Sequence, residues 1–399
     1  MKRLSNKIQT WFWLMWRPIL ICAGVSLVVA GILGFQLGNL NKGVSTAEHT
    51  YITSIDSGAK ILKDPVYIVH KLPTYTLFKL KVHNIAAYRA ISALIATLAI
   101  VSCFFILREW YTIRVAIIGS WLFLTSAWVL HIGRMANPEA SYLLLMPVLW
   151  IVIWLYTTTL RKSALFVLSL FLAICTYIPG FGWLFLIAGI WKHKLLWAEL
   201  KEIPWWFRLI CVFVVMGALL PLFVASIVSP RELLLIAGLP VRLPTWSALV
   251  SNMLSIPQML IINGPNNPTM WLGRLPILDA FSFTMFVLGL YSLRFQLKLV
   301  RIQLLASSSI VLALLITLGG LVTITALMPI IYVLIATGIA FMLQQWFIVF
   351  PHNPIARTIA TTLMSLIVLL VSFYHINHYF IAWPQTPATK TGFSQSLLK

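Results

Sequence analysis

The stretch Ala326-Leu-Met-Pro-Ile-Ile-Tyr-Val-Leu-Ile-Ala-Thr-Gly-Ile-Ala-Phe-Met-Leu-Gln-Gln-Trp346 contains no charged residue. About 20 consecutive apolar residues are what an α-helix needs to cross the hydrocarbon core of a bilayer. Backbone N–H and C=O groups must be satisfied inside lipid, and a helix satisfies them within its own segment. The stretch therefore predicts a transmembrane helix.

Apolar runs of this kind recur along the whole chain, which is 60% hydrophobic and 10% charged, with a mean hydropathy of +0.94. We predict an all-α fold, a polytopic transmembrane helical bundle of about eleven spans. The predicted spans are 18–37, 87–107, 115–132, 140–160, 163–178, 180–196, 205–228, 278–294, 302–322, 326–346 and 356–376.

The formal net charge of +20 does not indicate a nucleic-acid partner, because the basic residues are dispersed through short loops between the spans. Lys and Arg in short loops mark the cytoplasmic side of a membrane protein. Lys2, Arg3 and Lys7 place the N-terminus inside, and nearly every short inside loop then carries positive charge. We predict a multi-pass plasma-membrane protein whose active face is extracytoplasmic.

Two long loops, at about 38–84 and 229–277, fall on the outer side of this topology. Their density of aromatic, Pro and apolar residues does not favour disorder. In the first loop, Ile52, Ile55, Ala59 and Leu62 would share one face of a helix lying in the membrane interface. We predict one transmembrane glycosyltransferase-like domain over 1–376 and a short extracytoplasmic tail over 377–399.

Acidic residues collect on the outer side. A carboxylate at the centre of a span costs roughly 2.5 kcal/mol or more, so an outer cluster indicates chemistry or binding there. Helix capping and solvation are the alternative for each single acid. Six of the nine acids fall on this side: Glu48, Asp56, Asp64, Glu139, Glu232 and Asp279.

Two of these acids are the main candidates. Glu48 follows the first span and also forms a capping box with Ser45. Glu139 follows Pro138, a pair that is typical of a helix start. Arg134, in the same short outer loop as Glu139, would suit a phosphate or that acid.

Metal and nucleotide sites have little support in the sequence. His375 and His378 are spaced to share a metal, but no third ligand is near them in the chain. His70 and His83 are typical of interfacial loops, and no phosphate-binding loop or dinucleotide fingerprint occurs. We predict no metal ligands and no required cofactor, and a divalent metal stays an open alternative.

The order of the short motifs resembles the polytopic GT-C glycosyltransferases, in the group that includes protein O-mannosyltransferases and aminoarabinose transferases. In that family an outer acidic motif precedes a juxtamembrane helix, a His/Pro/Tyr-rich stretch, a span opening with Arg, and an outer loop with Arg and an acid. The matching segments are Ser45-Thr-Ala-Glu48, Ile52–Lys63, His70-Lys-Leu-Pro-Thr-Tyr75, Tyr88-Arg-Ala-Ile-Ser92, Gly133-Arg134, Pro138-Glu139 and Gly273-Arg-Leu-Pro-Ile-Leu-Asp279.

The chain departs from the family pattern at two places. The family often has an Asp-Glu pair where this chain has Ala47-Glu48. The family also often has an Arg before a late span, whereas the stretch Leu321–Pro329 carries no charge.

The resemblance implies transfer of a sugar from a polyprenyl-phosphate donor in the membrane lipid to an acceptor, which could be a glycan, a lipid or a protein. Glu48 would be the general base that takes the acceptor proton. Donor phosphate and substrate contacts would come from Arg134, Glu139, His70, Tyr75, Lys60, Lys63 and Arg274. For the loop cations, attraction to anionic lipid head groups is the alternative. A lipid-linked sugar transporter or flippase, or a non-catalytic scaffold of the same fold, are the competing functions.

Overall fold

The computed structural model describes residues 20, 22–40, 43–158, 160–266 and 271–396. Lys2, Arg3 and Lys7, on which the predicted N-terminal orientation depends, lie outside these ranges. The protein is 77% helical, and the described part of the chain contains no β-sheet, only an isolated antiparallel bridge between Val44 and Gln395.

The helices follow one another with short connections, apart from the two predicted outer loops. They are α1 (Cys22–Gly34), α2 (Thr46–Ser54), α3 (Gly58–Lys63), α4 (Ile68–Lys79), α5 (Ile85–Trp110), α6 (Ile113–Thr125), α7 (Ala127–Arg134), α8 (Leu145–Thr157), α9 (Arg161–Cys175), α10 (Phe181–Trp191), α11 (His193–Lys201), α12 (Trp205–Ala218), α13 (Leu220–Val228), α14 (Pro230–Ile236), α15 (Trp246–Ile261), α16 (Ala280–Leu293), α17 (Val300–Thr317), α18 (Met328–Val349), α19 (Pro354–Asn377), α20 (Trp383–Gln385) and α21 (Pro387–Gly392). Short 3₁₀ turns, Pro138–Leu144 and Ile324–Leu327, lead into α8 and α18, and a π-turn, His378–Ala382, continues α19.

Each predicted span contains a helix, so the all-α polytopic membrane bundle is confirmed. Among the described residues, six helical segments are long and apolar enough to cross a membrane, and α6 with α7, bent by 62°, would be a seventh. Helices α1, α10 and α16 are apolar but shorter. The number eleven is therefore not confirmed.

The interior of the bundle is built around α18, whose apolar window is 83% buried. Helices α16 and α18 pack backbone against backbone: a Cβ on Gly289 would overlap the carbonyl of Leu334, and one on Gly338 would overlap that of Met285. Small residues permit such close helix approach, which is how transmembrane helices associate without a hydrophobic driving force. Helices α12 and α13 are mostly exposed, as expected of a lipid-facing position.

The predicted continuous interfacial helix across 51–63 is wrong in detail. The chain forms α2 and α3 instead, separated at Ile55–Ser57, because Asp56-Ser57-Gly58 is a sequence that favours a turn. The buried side chains are Ile52, Ile55 and Ile61, whereas Ala59 and Leu62 are exposed. The break lets α2 turn its N-terminus into the bundle.

Candidate active site

A cavity of about 410 Å³ lies where three segments meet: the N-terminus of α2, the α7–α8 connection and the turn before α18. It brings together the two acids singled out in the sequence, Glu48 and Glu139. The lining residues are Ser45, Ala47, Glu48, Tyr51, Tyr67, Met135, Ala136, Asn137, Pro138, Glu139, Gly320, Leu321 and Thr323.

Glu48 is held from several sides and only 3% exposed. The capping box with Ser45 is present: the Glu48 backbone donates to Ser45 Oγ at 3.1 Å, and the Ser45 backbone donates to Glu48 Oε2 at 3.2 Å. The backbone N–H of Ala136 donates to Oε1 at 2.9 Å. The carboxylate therefore joins α2 to the α7–α8 connection.

Arg89, in the second turn of α5, is the main partner of Glu48. Its Nε donates to Oε1 and its Nη2 to Oε2, both at 2.9 Å, and the guanidinium is 2% exposed. The remaining donors bind the carbonyls of Leu37 and Gly43 at 3.1 and 3.3 Å. Sequence reasoning placed Arg89 in a motif but did not identify it as this partner; a single cation near the start of a long apolar helix was the available signal.

The pKa of the Glu48 carboxyl is lowered overall. Burial on its own would raise the pKa, but the hydrogen bonds and charge of Arg89 lower it, as do the N–H groups of Ala136 and Ser45. Glu48 is therefore an ionised carboxylate at neutral pH.

Glu139 is placed differently. Pro138 is the first residue of the 3₁₀ turn and Glu139 the second, which is the helix start that the sequence predicts. Asn137 caps that turn, since its side-chain oxygen accepts from the Glu139 N–H at 3.0 Å. Thr323 and Thr325 each donate a hydroxyl hydrogen bond of 2.8 Å to Oε2. Among the described residues, no donor is recorded on Oε1, and the side chain is partly exposed to the cavity.

The uncharged stretch Leu321–Pro329 thus reaches the candidate site. Thr323 occupies the cavity wall and Thr325 lies fully buried behind it. Sequence reasoning noted only the missing charge here, because two Thr residues before a helix are ordinary capping chemistry and give no signal of their own.

His70 lies behind the cavity wall and does not line it. It is fully buried, with Nδ1 2.8 Å from the hydroxyl of Tyr51 and Nε2 2.9 Å from Ser92 Oγ. Burial lowers its pKa to about 3, so the ring is neutral. The expectation of an interfacial loop residue is wrong, since His70 belongs to α4 and supports Tyr51, which does line the cavity.

Arg134 makes contacts that the sequence did not predict. Its Nη1 donates to the carbonyls of Ile32 and Leu33 at 3.0 and 2.7 Å, and its Nη2 to the carbonyl of Phe35 at 2.6 Å. A cation at a helix C-terminus satisfies carbonyls that have no partner inside the helix. Arg134 therefore caps α1, is 2% exposed, and does not line the cavity.

The remaining predicted contacts lie elsewhere. Lys60 and Lys63 line a separate cavity of about 270 Å³ with Asp64 and Lys71. Two of these cations are already paired, Lys60 with Asp56 at 2.7 Å and Lys71 with Asp64 at 2.6 Å. Tyr75 lies beside Gly58, and Arg274 is exposed. Within the described ranges, no Lys or Arg lines the cavity that holds Glu48 and Glu139.

The fold of this chain is similar to that of solved structures. Two crystal structures of ArnT from Cupriavidus metallidurans, one in the apo state and one bound to undecaprenyl phosphate, match at 12% and 11% identity. Each match covers 95% of this chain and 76% of the ArnT chain, with TM-scores of 0.51 and 0.54. The chain has the ArnT fold.

ArnT is an aminoarabinose transferase of the GT-C group, so the predicted resemblance is confirmed for the fold. No family model and no curated protein matches the sequence.

In the part of the chain that the structure describes, no three His, Cys, Asp or Glu side chains are grouped so that they could hold a metal ion. His375 Nε2 donates to Asp279 Oδ2 at 3.0 Å, and Asp279 also caps α16. His378 instead lies 3.2 Å from the carbonyl of Leu272. The i, i+3 spacing of the two His residues therefore serves two separate contacts.

Proposed function

We propose that the protein is a membrane glycosyltransferase that moves a sugar from a polyprenyl-phosphate donor to an acceptor at the extracytoplasmic face. The observation that supports this most directly is the pair of carboxylates, Glu48 and Glu139, on one cavity of an ArnT-like fold. One of the ArnT structures is bound to undecaprenyl phosphate, which supports a polyprenyl lipid as donor carrier. A lipid-borne donor presents its head group at the membrane interface while its tail lies among the helices.

The chemistry needs three things of the cavity: a carboxylate to accept a proton, donors for the departing phosphate, and partial exclusion of water. Two carboxylates are present. The hydroxyls of Ser45, Tyr51 and Thr323 line the same walls, and those of Ser45 and Thr323 already donate to Glu48 and Glu139. We assign the phosphate to the Tyr51 hydroxyl and to backbone N–H groups, since Arg134 is engaged with α1.

The test is sugar transfer in proteoliposomes with a panel of polyprenyl-phosphate sugars and a mixture of glycan, lipid and peptide acceptors. Transfer of labelled sugar with release of polyprenyl phosphate is the expected result. Movement of the intact donor across the bilayer without transfer would instead identify a transporter or flippase. Donor binding with neither transfer nor movement would identify a scaffold.

A further inference from the structure

We propose that Glu139, and not Glu48, accepts the proton of the acceptor hydroxyl; this assignment depends on the transferase function proposed above. The two carboxylates line the same cavity but differ in how many of their lone pairs are already used. That difference, rather than position in the sequence, decides which one can act as a base.

Glu48 has no free capacity. Its two oxygens accept from five donors: Arg89 Nε and Nη2, the N–H groups of Ala136 and Ser45, and the Ser45 hydroxyl at 3.4 Å. An ionised carboxylate offers about four lone-pair sites. Because every site is occupied, an acceptor hydroxyl could reach Glu48 only by displacing Arg89 or the α7–α8 connection.

Glu139 has free capacity on one side and is fixed on the other. Both hydroxyl donors, Thr323 and Thr325, bind Oε2. Among the described residues no donor is recorded on Oε1, and the residue is partly exposed and lines the cavity. Two anchors on one oxygen fix the orientation of the carboxylate. A positioned base with an open lone pair is what general base catalysis requires.

Glu139 lies in the first turn of the 3₁₀ segment that begins at Pro138, and its own N–H donates to Asn137 Oδ1. Among the described lining residues, Glu139 is the one carboxylate that faces open space without an ion-pair partner.

The acceptor oxygen forms a bond to the anomeric carbon of the donor sugar while the bond from that carbon to the phosphate oxygen breaks. The electron pair of the broken bond leaves with polyprenyl phosphate. The acceptor proton moves to Oε1 of Glu139 and is released to water after the product departs.

Thr323 and Thr325 are positioning residues in this scheme. Replacing both by Val keeps their shape but removes the two hydroxyl donors from Oε2. We expect this double variant to lower kcat and leave KM for the donor within about twofold, because the carboxylate loses its orientation but the cavity keeps its form.

The experiment compares Glu139→Gln, Glu139→Asp, Glu139→Ala and Glu48→Gln with the wild type. Asp56→Asn is the carboxylate control, in the same outer loop as Glu48 but outside the cavity. Transfer, donor binding and thermal unfolding are measured for each. We expect Glu139→Gln to lower transfer at least about 100-fold with donor binding and melting temperature retained. Added formate should restore part of the activity of Glu139→Ala, and Glu139→Asp should shift the acidic limb of the pH–rate profile.

Glu48→Gln should show the reverse pattern: a lower melting temperature, with transfer per folded molecule within about tenfold of the wild type. Folded Glu139→Gln with wild-type transfer would overturn the assignment, and so would loss of transfer in folded Glu48→Gln alone. No transfer by the wild type on the whole panel overturns the proposed function itself, and the assignment of Glu139 with it.

Discussion

Arg89 and Glu48 form a buried, two-pronged ion pair in which Nε and Nη2 each lie 2.9 Å from a different carboxylate oxygen. The pair joins α5 to α2 at the edge of the cavity, and both side chains are at most 3% exposed. Burial of two charges is costly, so such a pair is stable only because its geometry is good and its other donors and acceptors are satisfied.

Glu48→Gln is therefore expected to destabilise the protein by about 3–5 kcal/mol, since it leaves the Arg89 charge buried without its counter-ion. The double variant Glu48→Gln/Arg89→Gln should recover part of that loss because no unpaired charge remains. Thermal unfolding in detergent measures both. Equal destabilisation by the single and the double variant would show that the pair contributes no coupling.

Lowering the pH should reduce the stability of the folded protein through protonation of Glu48. Its folded-state pKa lies below its ordinary value, so its stabilisation is fully present above the unfolded-state pKa of about 4.3. The stabilisation is lost as pH falls below that value through the folded-state pKa. Melting temperature measured from pH 6 to 3 should fall less steeply below about 4.3 in Glu48→Gln than in the wild type. Parallel curves would contradict the lowered pKa.

Protonation of His70 in the unfolded state should cause a second loss of stability, which begins at a higher pH than the loss due to Glu48. Burial lowers its pKa to about 3, whereas an unfolded His titrates at about 6.5. The unfolded state therefore binds a proton that the folded state does not bind, and stability declines as pH falls from about 6.5 toward 3. His70→Gln should flatten the melting-temperature curve between about pH 6.5 and 4.5. His83→Gln, in an exposed His of the same outer loop, is the matched control and should not change that slope.

The sequence predicted the helices well because hydropathy is a local property and each span carries its own signal. It also singled out Glu48 and Glu139 as candidates, since acids are rare in such a chain and both fall in outer connections. Their meeting at one cavity could not be predicted, because it depends on how α2 packs against the α7–α8 connection. The contacts of Arg134 could not be predicted for the same reason: nothing in its sequence neighbours shows that α1 ends beside it.

Arg134 is therefore expected to act on stability rather than on donor recognition. Arg134→Lys keeps a charge but loses the planar fork that binds the carbonyls of Ile32, Leu33 and Phe35. We expect a loss of about 1–3 kcal/mol of stability from unsatisfied buried carbonyls, with donor affinity of the folded protein unchanged within about twofold. Titration with polyprenyl phosphate beside thermal unfolding tests this. A drop in affinity of tenfold or more at wild-type stability would return Arg134 to the donor site.

The C-terminal segment should control the shape of the α2 N-terminus. Gln395 pairs with Val44 at 2.9 and 3.3 Å, and a Cβ on the neighbouring Gly43 would overlap the carbonyl of Phe393. Gly43→Ala must therefore push the tail away from the segment that presents Ser45 and Glu48. We expect faster proteolysis after Gln385 and lower sugar transfer.

Gly392→Ala is the matched control in the tail itself, because no atom lies within 4 Å of a Cβ there. If Gly43→Ala is cleaved no faster than Gly392→Ala, the tail does not depend on this contact, and its bridge to Val44 contributes little to the geometry of the cavity.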